Sequence, residues 1–210
     1  GDVLALTIDV SEPDQLEELA QRANEKYGAV DILVNNAGLN APRSGSLANV
    51  VDMDPEGWHR LMAVNLTAVF LLTKAILPGM LAKKNGRVIN ISSAAGKVGS
   101  AQNAAYSASK HAVIGFTRSL ALEVARDGIT ANSICPGWAW TSMVQEGMER
   151  RAKQGERTAE EWRKQIESGL PLGRMIEAEE VADLAVFLAS YAARGITGQS
   201  YSIDGGQVMH

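Results

Sequence analysis

Tyr106 and Lys110 are the residues whose types and spacing first suggest chemistry. They stand four apart in "NAAYSASKHAVIGF" (103–116), where the pattern predicts a long helix over about 104–126. Four residues make one helical turn, so the phenol and the ammonium share a face. A free phenol titrates near 10, too high for an acid/base group working near neutrality. A positive charge beside it favours the phenolate and lowers that value. The competing reading is two ordinary residues on one face of a buried helix. Their placement in the fold decides between the two.

The elements around the pair alternate regularly. Apolar runs at 3–10, 30–38, 86–93, 129–137 and 198–206 read as strands. Helical patterns fill 11–28, 54–84, 104–126 and 181–190. Ser11 is placed to cap the first helix, Gly28 to end it, and Leu16, Leu19, Ala20 and Ala23 form its apolar stripe. This order implies right-handed βαβ crossovers and a doubly wound parallel sheet covered on both faces, a three-layer α/β/α domain spanning 1–210. Strands buried on both faces are almost continuously apolar, as these are.

Ligands of such sheets bind beyond the carboxyl ends of the strands. Asp9, then Asn35, Asn36, Ala37 and Gly38, then Ser92 and Ser93, then Pro136 and Gly137 all fall at those ends. Tyr106 joins the same rim if its helix begins there. Each alone reads as a turn or a cap; gathered on one edge they read as a site. The segment 140–175 is long, charged and amphipathic, and interrupts the step from the fourth strand to the last helix. A connection of that length is functional or mobile, and we read it as a lid over the rim.

The totals narrow the class. With 46% hydrophobic and 21% charged residues the chain is globular rather than disordered. A net charge of −4 and the lack of a basic block argue against nucleic acid. The apolar stretches read as shorter than a membrane span, and no signal peptide opens the chain. The lone Cys135 suits a reducing compartment and reads as a small buried hydrophobe. His111 points about 100° around the helix from Lys110 and reads as packed. His59 and His210 join no Cys or carboxylate pair, so no metal site is expected.

At this point the residues resemble the short-chain dehydrogenase/reductase family. "NNAG" (35–38), "VNLTAVF" (64–70), "INISS" (89–93), "YSASK" (106–110), "NSICPG" (132–137) and "IDGG" (203–206) occur in the family's order and spacing. The resemblance implies a Rossmann-like fold, an NAD or NADP cofactor, and a ketone/secondary-alcohol interconversion by hydride transfer. It implies Asn65, Ser93, Tyr106 and Lys110 as a catalytic tetrad, Ser93 being the serine thirteen residues before the tyrosine. It places Asp9 and Val10 at the adenine. Asn35, Asn36, Ala37 and Gly38 fall along the adenosine and nicotinamide-ribose path, with Tyr106 and Lys110. Pro136, Gly137, Ala139 and Thr141 fall around the nicotinamide, Ala139 where Ile or Val is usual. Ser93, Tyr106, Trp138 and Met143 face the substrate.

In that scheme Tyr106 gives the proton, Lys110 lowers its pKa and holds the ribose, and Ser93 donates to the substrate oxygen. Asn65 holds a water linking Lys110 to solvent; read alone, it is a helix residue bonding its own backbone. The family's glycine-rich turn and first βαβ unit do not occur in these residues, which open at the family's third strand. The expectation is that about 40–50 residues precede it in a longer chain. Without them the run 3–10 would lack a neighbour, the edge of 30–38 would be exposed, and the NAD/NADP discriminator lies outside the sequence.

For the substrate, Trp138 resembles 3-hydroxybutyrate dehydrogenases, while Ala95, Asn103 and Gly147 depart from the polar residues expected there. The segment 140–175 and "LPLGRM" resemble 3-oxoacyl carrier-protein reductases and polyketide ketoreductases. A 3-oxoacyl or similar β-keto substrate is the expectation, with 3-hydroxybutyrate and polyol or sugar alternatives. A non-catalytic nucleotide-binding scaffold is the alternative of another class. A cytoplasmic homotetramer or homodimer is expected, from the family and from apolar surface on the two long helices.

Overall fold

The computed structural model describes residues 1–40, 48–155 and 157–209; His210, Glu156 of the expected lid and residues 41–47 lie outside it. Four parallel strands form one sheet in the order β1-β2-β3-β4: β1 (Ile32–Asn35), β2 (Gly86–Ile91), β3 (Ile129–Pro136) and β4 (Ser200–Ile203). Leu33 pairs with Val88, Val88 with Ala131, and Ile134 with Tyr201. The two central strands are almost wholly buried, as their unbroken apolar character requires.

Helices cover both faces. On one, α1 (Pro13–Tyr27), α3 (Ala68–Lys83) and α4 (Ala104–Val124) meet the sheet around Ala20, Ile76, Met80, Val88, Leu120 and Ala131. On the other, α7 (Ala178–Ala189) seats Leu188 against Ile89 and Ile134. The connections β1–β2 and β2–β3 cross over the α3/α4 face, whereas β3–β4 steps the same way along the sheet over the α7 face. The last crossover therefore has the opposite hand from the first two. This corrects the expectation of uniform right-handedness; the excursion after β3 carries the chain around to the other face.

Two further expectations change. Residues 3–9 form no strand, because they have no ladder partner among the described residues. Leu4, Leu6 and Ile8 are half-buried in alternation with exposed neighbours, and Lys26 pins the start through Asp2 and the Val3 carbonyl. On β1, Ile32 and Val34 share the face opposite Leu33 and are 47% and 44% exposed. Ser11 does not cap α1. Pro13 takes the first helical position, where a missing N–H costs nothing, so the cap falls on Glu12 and Ser11 turns to Asp9. Gly28 ends the helix as expected.

The helical run Pro55–Lys83 is long and apolar enough to cross a membrane by length and composition alone. This corrects the sequence-based reading of the apolar stretches; in the fold the run lays Ile76 and Met80 against the sheet.

The excursion 140–175 resolves into two helices, α5 (Ser142–Gln154) and α6 (Ala159–Ser168). Thr158 and Glu161 form a capping box at the start of α6. Met148, Leu170 and Met175 form a small core with Trp138, Trp140, Val144, Trp162 and Ile166. The Arg163 guanidinium lies 4.3 Å over the Trp140 ring. Arg174 closes the excursion on Glu180 of α7 with bonds of 2.7 and 3.0 Å.

Candidate active site

The carboxyl ends of β1, β2 and β3 meet the first turn of α4. Tyr106 stands in that turn and Lys110 one turn on, 4% exposed. Lys110 Nζ donates to the Ile91 carbonyl at the end of β2 at 2.9 Å, and lies 5.8 Å from the Tyr106 ring centroid. Burial pulls the lysine down to about 8, partly opposed by Cys135. Burial pushes the Tyr106 phenol up, opposed by the adjacent Ser93 hydroxyl. This corrects one expectation: within the protein alone desolvation, rather than the Lys110 charge, sets the phenol, so Tyr106 is held protonated.

The two serines have separate jobs. Ser92, 3% exposed, donates its hydroxyl to the Lys110 carbonyl at 2.9 Å and is spent on packing. Ser93 is extended, and its oxygen accepts from Ala95 N at 3.1 Å as the cap of a short turn, Ala94–Gly96. The Ser93 proton remains available toward Tyr106. Gly96 allows the turn to press on α4: a Cβ there would meet Ser92 Oγ at 2.6 Å and the Lys110 carbonyl oxygen at 2.8 Å.

Asn65 is placed by a break in helix geometry. Between α2 (Pro55–Met62) and α3, residues Ala63–Thr67 form a single π-turn. Such turns are rare and cluster at functional sites. Asn65 is 1% exposed. Its Oδ1 accepts from Leu39 N at 2.8 Å, and its Nδ2 donates to Leu39 O at 2.8 Å and to Ser109 Oγ at 3.0 Å. Ser109 donates in turn to the Tyr106 carbonyl at 2.8 Å. Asn65 thus ties the loop after β1 to the Tyr106 turn instead of bonding its own backbone.

Other expected residues are distributed unevenly. Asn35 turns its side chain into the core: it is buried and donates to Asn90 and Thr73 at 2.8 and 3.2 Å, within a polar seam that continues through Thr117 to Ser133. Asn36 and Ala37 are exposed at the rim and Gly38 is half-buried. Asp9 and Val10 lie in the turn before α1. The Asp9 carboxyl is held down to about 2, first by Arg60 of α2 and then by Ser11. Pro136 ends β3. Gly137 abuts the "IDGG" turn so closely that a Cβ would lie 2.6 Å from Asp204 Cβ. Trp138 and Trp140 exchange backbone bonds with Ile176, which clamps half-buried Ala139 between them. Trp138 packs in the small core of the excursion, and Met143 is 45% exposed.

His111 is exposed, with Nδ1 2.9 Å from the Ser107 carbonyl, and is not packed as expected. Cys135 is fully buried, and burial pushes its thiol up. No group of three or more metal-ligating side chains occurs among the described residues. Sequence reading missed the bond from Ser92 to the Lys110 carbonyl, Gly96, Ser109 and the Leu39 backbone. The signal for the first three lay in the density of small residues at 92–96 and 107–109.

A phenol, a buried ammonium and a free hydroxyl, gathered at the strand ends of a doubly wound sheet, are the equipment of a dehydrogenase or reductase. Residues 1–208 match the family described as enoyl-(acyl carrier protein) reductase. D-beta-hydroxybutyrate dehydrogenase of Cupriavidus necator is 43% identical over 201 residues, 95% of this chain and 76% of that one. A 3-oxoacyl-(acyl-carrier-protein) reductase of Vibrio cholerae is 37% identical over 204 residues, 97% of this chain and 77% of that one. Actinorhodin polyketide ketoreductase, crystallised as a variant with NADPH, superposes with a TM-score of 0.89 at 40% identity, over 96% of this chain and 76% of that one. The chain belongs to the short-chain dehydrogenase/reductase family and is an oxidoreductase acting between CH–OH and ketone groups.

The residues present fit the nicotinamide-ribose end of an NAD(P) cofactor. Among the described residues Lys110 Nζ makes one bond, to Ile91, and an ammonium has three donors. A Cβ on Gly38 would lie 3.4 Å from both Lys110 Nζ and Asn65 Oδ1, so glycine keeps that approach open. Thr141 stands at the start of α5 without capping it, leaving its hydroxyl for a ligand.

Proposed function

We propose that the protein reduces a 3-oxoacyl or related β-keto group to the secondary alcohol, or runs the reverse oxidation, with NAD or NADP. The observation that carries the reading is the joining of Ser93, Tyr106 and Lys110 at one rim, braced by Asn65 through Ser109. When bound, the nicotinamide supplies or takes up the hydride.

The chain's own groups handle the proton and the charge. Tyr106, protonated at neutral pH, donates to the substrate oxygen as negative charge develops there. Ser93 donates a second hydrogen bond to that oxygen. Lys110 holds the ribose hydroxyls and, titrating near 8, re-supplies the tyrosine's proton. Asn65 holds the turn that sets both in place and serves the water path to Lys110. Asp9 and Val10 face the adenine; Asn36, Ala37 and Gly38 follow the ribose path; Pro136, Gly137, Ala139 and Thr141 border the nicotinamide. Trp138 and Met143 lie on the substrate side, and 140–175 serves as the substrate-binding lid of a single domain.

A second reading, 3-hydroxybutyrate oxidation, is favoured by Trp138 and by the hydroxybutyrate dehydrogenase relative; Ala95, Asn103 and Gly147 speak against it. The exposed apolar side chains Phe70 and Leu122 on α3 and α4 support a homotetramer or homodimer, and a cytoplasmic setting follows the reductase relatives. Turnover followed at 340 nm with NADH or NADPH decides the substrate. β-Keto esters should turn over faster than acetoacetate; the reverse order selects 3-hydroxybutyrate. Cofactor binding without turnover on any substrate would leave only a scaffold.

A further inference from the structure

The opposite rim of the sheet holds a second buried cation that the reaction does not use. Arg87 is the second residue of β2, four before Ile91, so it lies roughly 13 Å along the strand from the catalytic rim. It is 8% exposed. Its bonds among the described residues are both made by Nη1, to Gly86 O at 2.8 Å and Gly128 O at 3.4 Å. Its Nε is buried with no partner. No ion pair reaches it among the described residues, although Asp127 stands next to Gly128.

A buried guanidinium cannot relieve its charge by losing a proton, and an unpaired buried charge is costly. Arg87 faces a cavity of about 360 Å³. Arg194, Tyr191, Thr130, Thr197 and Asn85 also line it. Arg194 lies 4.4 Å over the Tyr191 ring and is exposed at the mouth. The Nη1 side of Arg87 is anchored to carbonyls and its Nε is closed off from solvent, so the guanidinium gives the cavity it lines a positive charge that no carboxylate among the described residues answers.

We infer that this cavity is a binding site for a small oxyanion, a phosphate or carboxylate group, held by Arg87 at its floor and Arg194 at its mouth. The volume exceeds that of a bare ion, so the group belongs to a small organic anion whose body rests on Tyr191. The inference does not depend on the reaction proposed for the other rim.

Calorimetric titration with inorganic phosphate and, separately, with succinate, at constant ionic strength in chloride, tests it. Saturable binding of at least one is expected, and the tighter arm names the group. Arg87→Gln should weaken it about tenfold or more, Arg194→Gln less, and Tyr106→Phe not at all. Should Arg87→Gln fail to fold, Arg194→Gln carries the test through the same titration. The inference falls if neither anion binds or if both arginine variants bind like the parent. It also falls if Arg87→Gln changes the oligomer mass while neither anion binds, since a second copy then answers the charge.

Discussion

The two ends of β2 each bury a cation, and they bury it differently. Lys110 sits beyond the strand's carboxyl end on one carbonyl, and burial pulls it down to about 8. Arg87 sits at the amino end on two carbonyls and keeps its charge at any pH the protein meets. A buried lysine relieves its desolvation by releasing a proton, so it can belong to a relay. A buried arginine can only attract a negative group. The same burial therefore yields a proton carrier at one rim and a fixed anion anchor at the other.

The largest expected effect separates chemistry from binding at the lysine's rim. Tyr106→Phe should lower turnover by about 10²–10⁴-fold, with cofactor affinity unchanged by fluorescence titration. Unchanged turnover would remove the phenol as acid and with it the relay. Next comes the titration of Lys110. Its folded value, about 8, lies below the ordinary 10.5, so between these the unfolded chain binds a proton that the folded protein does not. Stability therefore rises with pH across about 8 to 10, by about 2–3 kcal/mol, and the cost is fully present below 8. Denaturant melts should show this rise in the parent and lose it in Lys110→Met. The smallest effect tests the arginine: with chloride as the only anion, Arg87→Met should raise stability by about 1–2 kcal/mol, equally at pH 7 and pH 10. A rise that grew or shrank across that range would dissolve the contrast between the two cations.

Much of this was legible in the order of residues. The strands at 32–35, 86–91, 129–136 and 200–203 fall inside the runs that announced them; the central two, β2 and β3, are the plainest, because burial on both faces leaves a near-continuous apolar composition. Ser93, Tyr106 and Lys110 were legible as a set because their spacing matches a family pattern; their convergence is a property of the sheet. The run 3–10 has strand composition without strand structure, since a strand needs a partner and composition cannot supply one. The opposite hand of the last crossover was hidden, because the pattern of elements carries no record of which face a long excursion reaches. The π-turn was hidden too: "AVNLT" reads as helix in any window, and only its bonds across to Leu39 and Ser109 show why the turn is widened. Ser92 and Ser93 are identical by type, and their division of labour appears only once Gly96 brings α4 against the turn.

The widened turn at Ala63–Thr67 carries one residue more than the helix around it needs. Substitutions act on the side chains of this helix one at a time, but a deletion of a single codon here would let the helix close into regular α-geometry. Because the surplus residue is taken up within the widened turn, α2 and α3 would keep their register on either side of the cut, and the asparagine alone would leave the loop after β1. The length of this helix, and not only its spelling, is thus part of the site. In a collection of natural or engineered variants, a gap at these five positions should mark chains that keep the fold and have given up the activity.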